Sequence, residues 1–264
     1  MATPRRIVLT YHAIDPSHPR AVTPEALRVQ FAWLAAYCRV VELSELLSTA
    51  SDAPNRSASS GERTVWVALA FDDGYADVYD HALPLLREFN LPATVFFVSG
   101  YAGAVPPADA GLYDGLRLLS WRQVQAMQKD RICFECHTHH HKRLTTLSKD
   151  AVHNELLANK TMIEKETGKT VRYFAFPWGY PNAFRKDMAP LLETLGFENA
   201  FTTIWGKIPP VCAENRYFLP RLDVSPGDTL ADFQRKVLGY YDYIRLIHQA
   251  RHVKHAALRF AKLS

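Results

Sequence analysis

The segment from Thr64 to Val98 constrains the fold of this chain more than any other. An apolar run from Val65 to Phe71 has the length of a buried strand. A helical pattern follows from about Ala76 to Asn90, and a second apolar strand runs from Ala93 to Val98. Because these elements form a β-α-β unit, the two strands are predicted to lie parallel and buried.

Two adjacent aspartates, Asp72 and Asp73, end the first of these strands. Sheets of this type place their ligand chemistry at the carboxyl ends of the strands. Two acids at such a place are costly unless something neutralises them, and a metal ion does this well. The pair therefore marks a candidate metal site.

Histidines that could complete such a site follow a later strand, predicted from Ile132 to Cys136. His137 and His141 are four residues apart, so a helical turn would place them on one face. Imidazole and carboxylate both suit zinc, and three protein ligands with an open position are typical of catalytic zinc sites. A single histidine is more often merely buried or exposed, but the pair and the two aspartates together favour a metal centre.

Several motifs give the chain a resemblance to a known family, over roughly residues 5 to 230. Phe71–Gly74, His137–His141 and Phe176–Gly179 resemble, in order, the first three motifs of the polysaccharide deacetylase (NodB-homology) family, carbohydrate esterase family four. Ile7–His12 and Leu219–Val224 resemble strands of one branch of that family. An Asp-Asp-Gly alone would be weak evidence, whereas the ordered set is specific.

The fold prediction combines the residue pattern with this resemblance. Alternating strands and helices predict an α/β protein with a mostly parallel sheet, but periodicity alone does not separate a barrel from an open sheet. The resemblance implies an irregular, incomplete (β/α) barrel with about seven strands. We expect a deacetylase catalytic domain over residues 1–228 and a basic, helical C-terminal extension over residues 229–264.

The resemblance also implies roles for the site residues. Asp73, His137 and His141 would bind one divalent ion, zinc in the first place, with Co²⁺, Ni²⁺ or Fe²⁺ as alternatives. Asp72 would be the general base for a water molecule that the ion activates. The ion and a backbone N–H near Trp178 would hold the oxyanion that forms when an N-acetyl carbonyl is attacked.

Further residues are predicted to contact the substrate. His12, Tyr75, Pro177 and Trp178 would line the substrate groove, where the indole could stack on a sugar ring. The alternatives are a packing role for His12 and a plain turn at Pro177–Gly179.

Two positions depart from the family pattern. Ala175 stands where the third motif usually has an arginine that holds the catalytic aspartate. Arg221 could reach in instead, or form a structural ion pair. The nearest match to the family's histidine general acid is His248, but its segment has a helical pattern. His139, His140 or a second water could then supply the proton.

These residues predict a metal-dependent hydrolase that removes N-acetyl groups from an amino-sugar-containing glycan or glycan precursor, and so acts on C–N bonds other than peptide bonds. A hydrolase of another amide or of an O-acetyl ester is one alternative. A catalytically weak glycan-binding protein is another, of a different class. The intact Asp72 argues against the binding protein, because a pure binder has no need of a base.

Composition and charge limit the classes of partner that the chain is expected to bind. A net charge of +4, without a basic run interleaved with aromatics, argues against nucleic acid. The apolar stretch near the N-terminus is too short for a signal sequence, so we expect a cytoplasmic protein. The basic C-terminal helix would either pack on the barrel or contact the inner membrane face or a partner. The four cysteines are expected to be free thiols.

Overall fold

The structure, a computed structural model, describes residues 4–48 and 64–244. Strands and helices alternate through these ranges. The strands are β1 (Arg5–Tyr11), β2 (Arg39–Val40), β3 (Val65–Phe71), β4 (Ala93–Phe97), β5 (Ile132–Cys136), β6 (Tyr173–Ala175), β7 (Asn199–Trp205) and β8 (Leu219–Asp223). The α-helices are α1 (Pro24–Tyr37), α2 (Leu43–Leu47), α3 (Leu83–Glu88), α4 (Trp121–Met127), α5 (Lys149–Thr167), α6 (Ala189–Thr194) and α7 (Leu230–Leu238).

Seven of these eight strands close into an irregular ring. β1 pairs in parallel with both β3 and β8, and each strand from β3 to β8 pairs in parallel with the next. The short strand β2 lies beside the start of β3 and adds an eighth strand to the sheet. The α/β fold class and the irregular barrel are confirmed.

The strand pairing in the ring is shortest between β5 and β6, which share a single register pair, Cys136 and Phe174. A buried carboxylate bridges the two strands beside this pair. Glu135 Oε2 accepts hydrogen bonds of 2.8 Å from the backbone N–H groups of both Arg172 and Tyr173. The sheet is irregular here because a side chain takes the place of backbone acceptors.

Apolar side chains pack on both faces of the ring. Alternate strand residues, among them Ala70, Phe96 and Phe201, form a compact cluster on one face. A larger cluster joins the other face to the helices, with Leu27 and Phe31 of α1 fully buried in it. Coverage on both faces explains why the strands read as continuous apolar runs in the sequence.

The helix predicted over residues 76–90 is divided in the structure. A π-helical turn at Val78–Ala82 precedes α3. Pro84 lies in the first turn of α3 and has no N–H to donate to the preceding turn, so the regular helix starts here rather than at Ala76.

The C-terminal segment packs on the ring as far as Ile244. Phe233 of α7 is fully buried and makes an edge contact with Trp33 of α1, at 6.0 Å between ring centroids. Arg5 forms a two-pronged ion pair with Asp242, with N–O distances of 2.6 and 2.7 Å. The packing alternative for this segment thus holds over residues 230–244.

Residues 245–264 lie outside the described ranges, and with them His248 and most of the predicted basic extension. The domain boundary after residue 228, the cytoplasmic location and a membrane or partner contact stay predictions. Within the described ranges, every helix is too short or too polar to cross a membrane.

Candidate active site

The predicted site residues meet at the carboxyl ends of the strands. Asp72 and Asp73 follow β3, and His137 and His141 follow β5. All four line one cleft with a volume of about 580 Å³. Strands that are 60 residues apart in sequence thus deliver their polar side chains to one place, as parallel strands in a ring do.

Asp73, His137 and His141 form a buried triad. Asp73 Oδ1 lies 3.3 Å from Nε2 of each histidine. The other ring nitrogens point at backbone carbonyls: His137 Nδ1 is 2.8 Å from the oxygen of Ala175, and His141 Nδ1 is 3.1 Å from that of Ala110.

These contacts fit a metal ion. A carbonyl oxygen can only accept, so each Nδ1 carries the proton and donates it, which leaves a lone pair on each Nε2 facing Asp73. Asp73 Oδ1 is buried and has no hydrogen-bond partner within the described ranges. Three electron-pair donors thus face one another without a proton between them, which suits a divalent cation. Histidines that bind a metal usually donate their other ring N–H to a carbonyl or carboxylate, as both histidines do here.

The charge state of the triad favours the same conclusion. Burial opposes the Asp73 carboxylate, but positive charge on the neighbouring imidazoles, His141 first, outweighs burial and holds the pKa of Asp73 well below its usual range; a bound cation would act on Asp73 in the same direction. Burial is the main cause that lowers the pKa of His141. An ionised Asp73 and a neutral His141 are the forms that bind a cation.

The turn that carries the histidines is not helical, so a shared helical face is not what brings His137 and His141 together. Thr138 and His141 have positive φ angles of 67° and 54°. The Thr138 hydroxyl accepts a 3.0 Å hydrogen bond from the His141 N–H, and the Asn159 amide on α5 donates to the Thr138 carbonyl at 2.6 Å. A non-glycine residue in the left-handed conformation costs on the order of 1–3 kcal/mol of folding free energy, so this turn needs stabilising contacts. They come from α5, and the spacing of the two histidines in the sequence does not reveal them.

Asp72 is held by Arg221, a buried arginine on β8. The two side chains form a bidentate ion pair, with both N–O distances 2.7 Å. Arg221 Nε also donates to the carbonyl of Thr202, at 3.1 Å. Burial alone would raise the pKa of Asp72, but the guanidinium outweighs it, so the net shift is downward. Arg221 from β8 thus provides the arginine that is missing at Ala175.

A second pair on the same side of the cleft joins His12 and Asp223, with 3.5 Å between Nδ1 and Oδ1. Burial would lower the pKa of His12, but the carboxylates of Asp223, Asp73 and Asp72 raise it overall. Asp223 was missed by sequence reasoning. The available signal was its position at the end of β8, two residues after Arg221.

The histidines considered as alternative proton donors lie elsewhere. His139 Nδ1 is 2.9 Å from the Ser99 hydroxyl, and His140 Nδ1 is 2.8 Å from Glu155. Neither residue lines the cleft. The structure therefore gives neither of them a position from which to protonate a group bound in the cleft, and the identity of the acid stays a prediction.

The predicted substrate contacts divide into two groups. His12 and Trp178 line the cleft, and Trp178 is 37% exposed. Tyr75 is fully buried: its hydroxyl accepts the Tyr113 N–H at 2.8 Å and the two rings stack. Pro177 is also buried. Neither residue is exposed to the cleft, where Tyr113 forms the wall in front of Tyr75, and their substrate contact stays a prediction.

A closed parallel ring with carboxylates and histidines at its strand ends is the architecture of an α/β enzyme. A sequence profile described as polysaccharide deacetylase matches residues 60–200, more than half of the chain. The chain therefore belongs to the polysaccharide deacetylase family and is a hydrolase of that family.

Curated relatives are similar over most of their length. The poly-β-1,6-N-acetyl-D-glucosamine N-deacetylase of Staphylococcus aureus (strain MSSA476) is 25% identical over 218 residues, covering 78% of this chain and 68% of the relative. The Staphylococcus epidermidis enzyme of the same name is 27% identical over 215 residues, with the same coverage.

Solved structures share the fold. The Streptococcus pyogenes deacetylase PplD, in complex with acetate, superposes with a TM-score of 0.73 at 20% identity, covering 89% of this chain and 99% of that one. IcaB from Ammonifex degensii gives a TM-score of 0.68 at 21% identity, covering 92% and 97%. At such identities the likeness establishes the fold alone.

Proposed function

We propose that this chain is a metal-dependent deacetylase that removes the N-acetyl group from an amino sugar in a glycan or glycan precursor. The observation that carries the proposal is the buried Asp73–His137–His141 triad next to the ion-paired Asp72, in one cleft. The family, and the names of the relatives as N-deacetylases, support the choice of an N-acetyl group.

Asp73, His137 and His141 would hold the ion. A set of two imidazoles and one carboxylate suits zinc first, and also Co²⁺, Ni²⁺ or Fe²⁺. When bound, such an ion supplies a Lewis acid that makes water more acidic and polarises a carbonyl.

Asp72 would accept the proton of the attacking water. Arg221 keeps this carboxylate ionised and fixes its orientation. Each oxygen still has a second lone pair after it accepts one hydrogen bond from the guanidinium, so the base remains competent. The backbone N–H of Trp178, a residue with a φ of 65° at the cleft wall, is the proposed donor to the oxyanion.

His12 would donate the proton that the leaving amine requires. It lines the cleft, and the neighbouring carboxylates raise its pKa and so favour its protonated form. The carboxylate of Asp223, with Oδ1 3.5 Å from Nδ1, would favour the positive charge on the ring. The proposed base and the proposed acid would thus act from the same side of the cleft, since Asp72 and His12 directly follow the neighbouring strands β3 and β1.

The test combines metal content with turnover. The purified full chain should contain about one equivalent of a divalent metal, and His137→Ala should lose it. The metal-loaded wild type should release acetate from β-1,6-linked N-acetylglucosamine oligomers or from another N-acetylated glycan. A metal-loaded protein that releases no acetate from a panel of such glycans would overturn the proposal.

A further inference from the structure

Each carboxylate that lines the cleft lies beside a guanidinium or an imidazole. Asp72 is bound by Arg221, Asp73 faces two imidazoles, and Asp223 lies beside His12. Arg20 lines the same cleft, and its guanidinium forms no ion pair or hydrogen bond with any residue in the described ranges. Among the described residues, the cleft therefore presents one guanidinium without a counter-ion.

Arg20 is held over an aromatic ring. Its guanidinium carbon lies 4.2 Å from the centre of the Tyr113 ring. Tyr113 is itself fixed, because it stacks on His18 at 5.2 Å and on Tyr75 at 5.3 Å. Such a cation–π contact uses none of the guanidinium N–H groups as hydrogen-bond donors to the protein, so they remain available to a ligand.

The loop that carries Arg20 is also fixed. Asp15 Oδ1 accepts hydrogen bonds from the backbone N–H groups of Ser17 and His18, at 2.7 and 2.9 Å. The Arg20 N–H in turn donates to His18 Nδ1, at 3.3 Å. A cation on such a loop loses less conformational freedom when it binds a ligand than one on a flexible loop.

We propose that Arg20 binds an anionic group, a phosphate or a carboxylate, that the glycan carries next to the acetylated sugar. The inference rests on the proposed deacetylase function and adds to it that the substrate is negatively charged. A guanidinium matches the paired oxygens of both groups. Since each deacetylation creates an ammonium group, Arg20 also disfavours glycans that already contain many free amines.

The test uses the full chain loaded with zinc and three probes. They are a neutral N-acetylglucosamine oligomer, N-acetylglucosamine 1-phosphate, and an oligomer in which N-acetylglucosamine alternates with a uronic acid. Acetate release and calorimetric binding are measured for wild type, Arg20→Gln and Arg20→Lys. Arg39→Gln is the matched control, because Arg39 also lies 4.2 Å from an aromatic ring, that of Trp66, but does not line the cleft.

We expect wild type and Arg39→Gln to bind one of the anionic probes about tenfold or more tightly than the neutral one, as a charged hydrogen bond would allow. Arg20→Gln should lose that preference and keep its affinity for the neutral oligomer, while Arg20→Lys should retain part of it. The phosphate and uronate arms identify which anion is preferred.

Two results would overturn the inference: equal binding of charged and neutral probes by wild type, or an unchanged preference in Arg20→Gln. Binding separates this inference from the proposed function. If no probe releases acetate but the anionic preference depends on Arg20, the deacetylase proposal fails and the anion site stands. If acetate is released but charged and neutral probes bind equally, the deacetylase proposal stands and the anion-site inference fails.

Discussion

Three aspartates within six residues of one another have different surroundings in this protein. Asp72 is bound by a guanidinium, and Asp73 faces two imidazoles. Asp77 has both carboxylate oxygens buried without a hydrogen-bond partner in the described part of the chain. The pKa is lowered for the first two, whereas burial raises that of Asp77 to about 7. Burial is common to all three, so the nearby cations decide which acid stays ionised.

The contrast between Asp72 and Asp73 predicts the largest effect on turnover and metal content. Asp72→Asn should lower kcat by about 10²–10⁴-fold, as loss of a general base does, and keep the metal. Asp73→Asn should lose both metal and turnover, because a ligand is removed. Elemental analysis and acetate release on both variants check this. Equal metal loss in the two variants would contradict the separation of roles.

The ion pair of Asp72 with Arg221 predicts the next effect. Arg221→Met leaves a buried carboxylate without its partner, which should destabilise the fold by about 3–5 kcal/mol. Adding Asp72→Asn to Arg221→Met should restore part of that loss, because the unpaired charge is then gone. Urea unfolding of the two single variants and the double variant measures the coupling. Strict additivity would show that the pair contributes no electrostatic stabilisation.

His12 allows a smaller effect on turnover. His12→Gln should reduce kcat on N-acetyl substrates by about 10²-fold, in the lower range for a general acid. In the wild type, activity that needs protonated His12 falls as pH rises through its raised pKa, and that alkaline limb should vanish in the variant. Full activity with an unchanged pH–rate profile would assign His12 to packing.

Asp77 gives the smallest effect, on stability alone. Its pKa is about 7 in the folded protein and 3.8 ordinarily, so the folded state holds a proton that the unfolded state has released between these values. Stability should therefore fall as pH rises from about 4 to 7. Asp77→Asn carries no titrating proton and should be about 1–2 kcal/mol more stable than wild type at pH 8. Thermal unfolding at pH 5 and pH 8 shows whether the difference between the proteins grows with pH.

The motif residues of the site were predictable because each lies just after a strand with a continuous apolar pattern. Asp72 and Asp73 follow β3, and His137 and His141 follow β5. Strand ends in a parallel sheet gather at one edge, so the order of the motifs was enough to predict that they meet. The structure places them together in one cleft.

The contacts around these residues were less predictable. Arg221 and Asp72 are separated by 149 positions in the sequence, and two interpretations of Arg221 were open. The left-handed turn at Thr138 and His141 depends on Asn159 in α5, which has no motif of its own. Tyr75 was expected in the groove, but Tyr113 from a distant loop covers it.

By itself, the sequence determined the α/β class, the β-α-β unit around Asp72 and the set of candidate metal ligands. These depend on local hydrophobic period and on the order of motifs along the chain. Only the tertiary structure decided the partner of Asp72, the proximity of His12 to Asp223, and the position of Arg20 at the cleft with no counter-ion among residues 4–48 and 64–244. The physical reason is that charge pairing depends on distances between strands and loops that are far apart in sequence, and ring closure sets those distances.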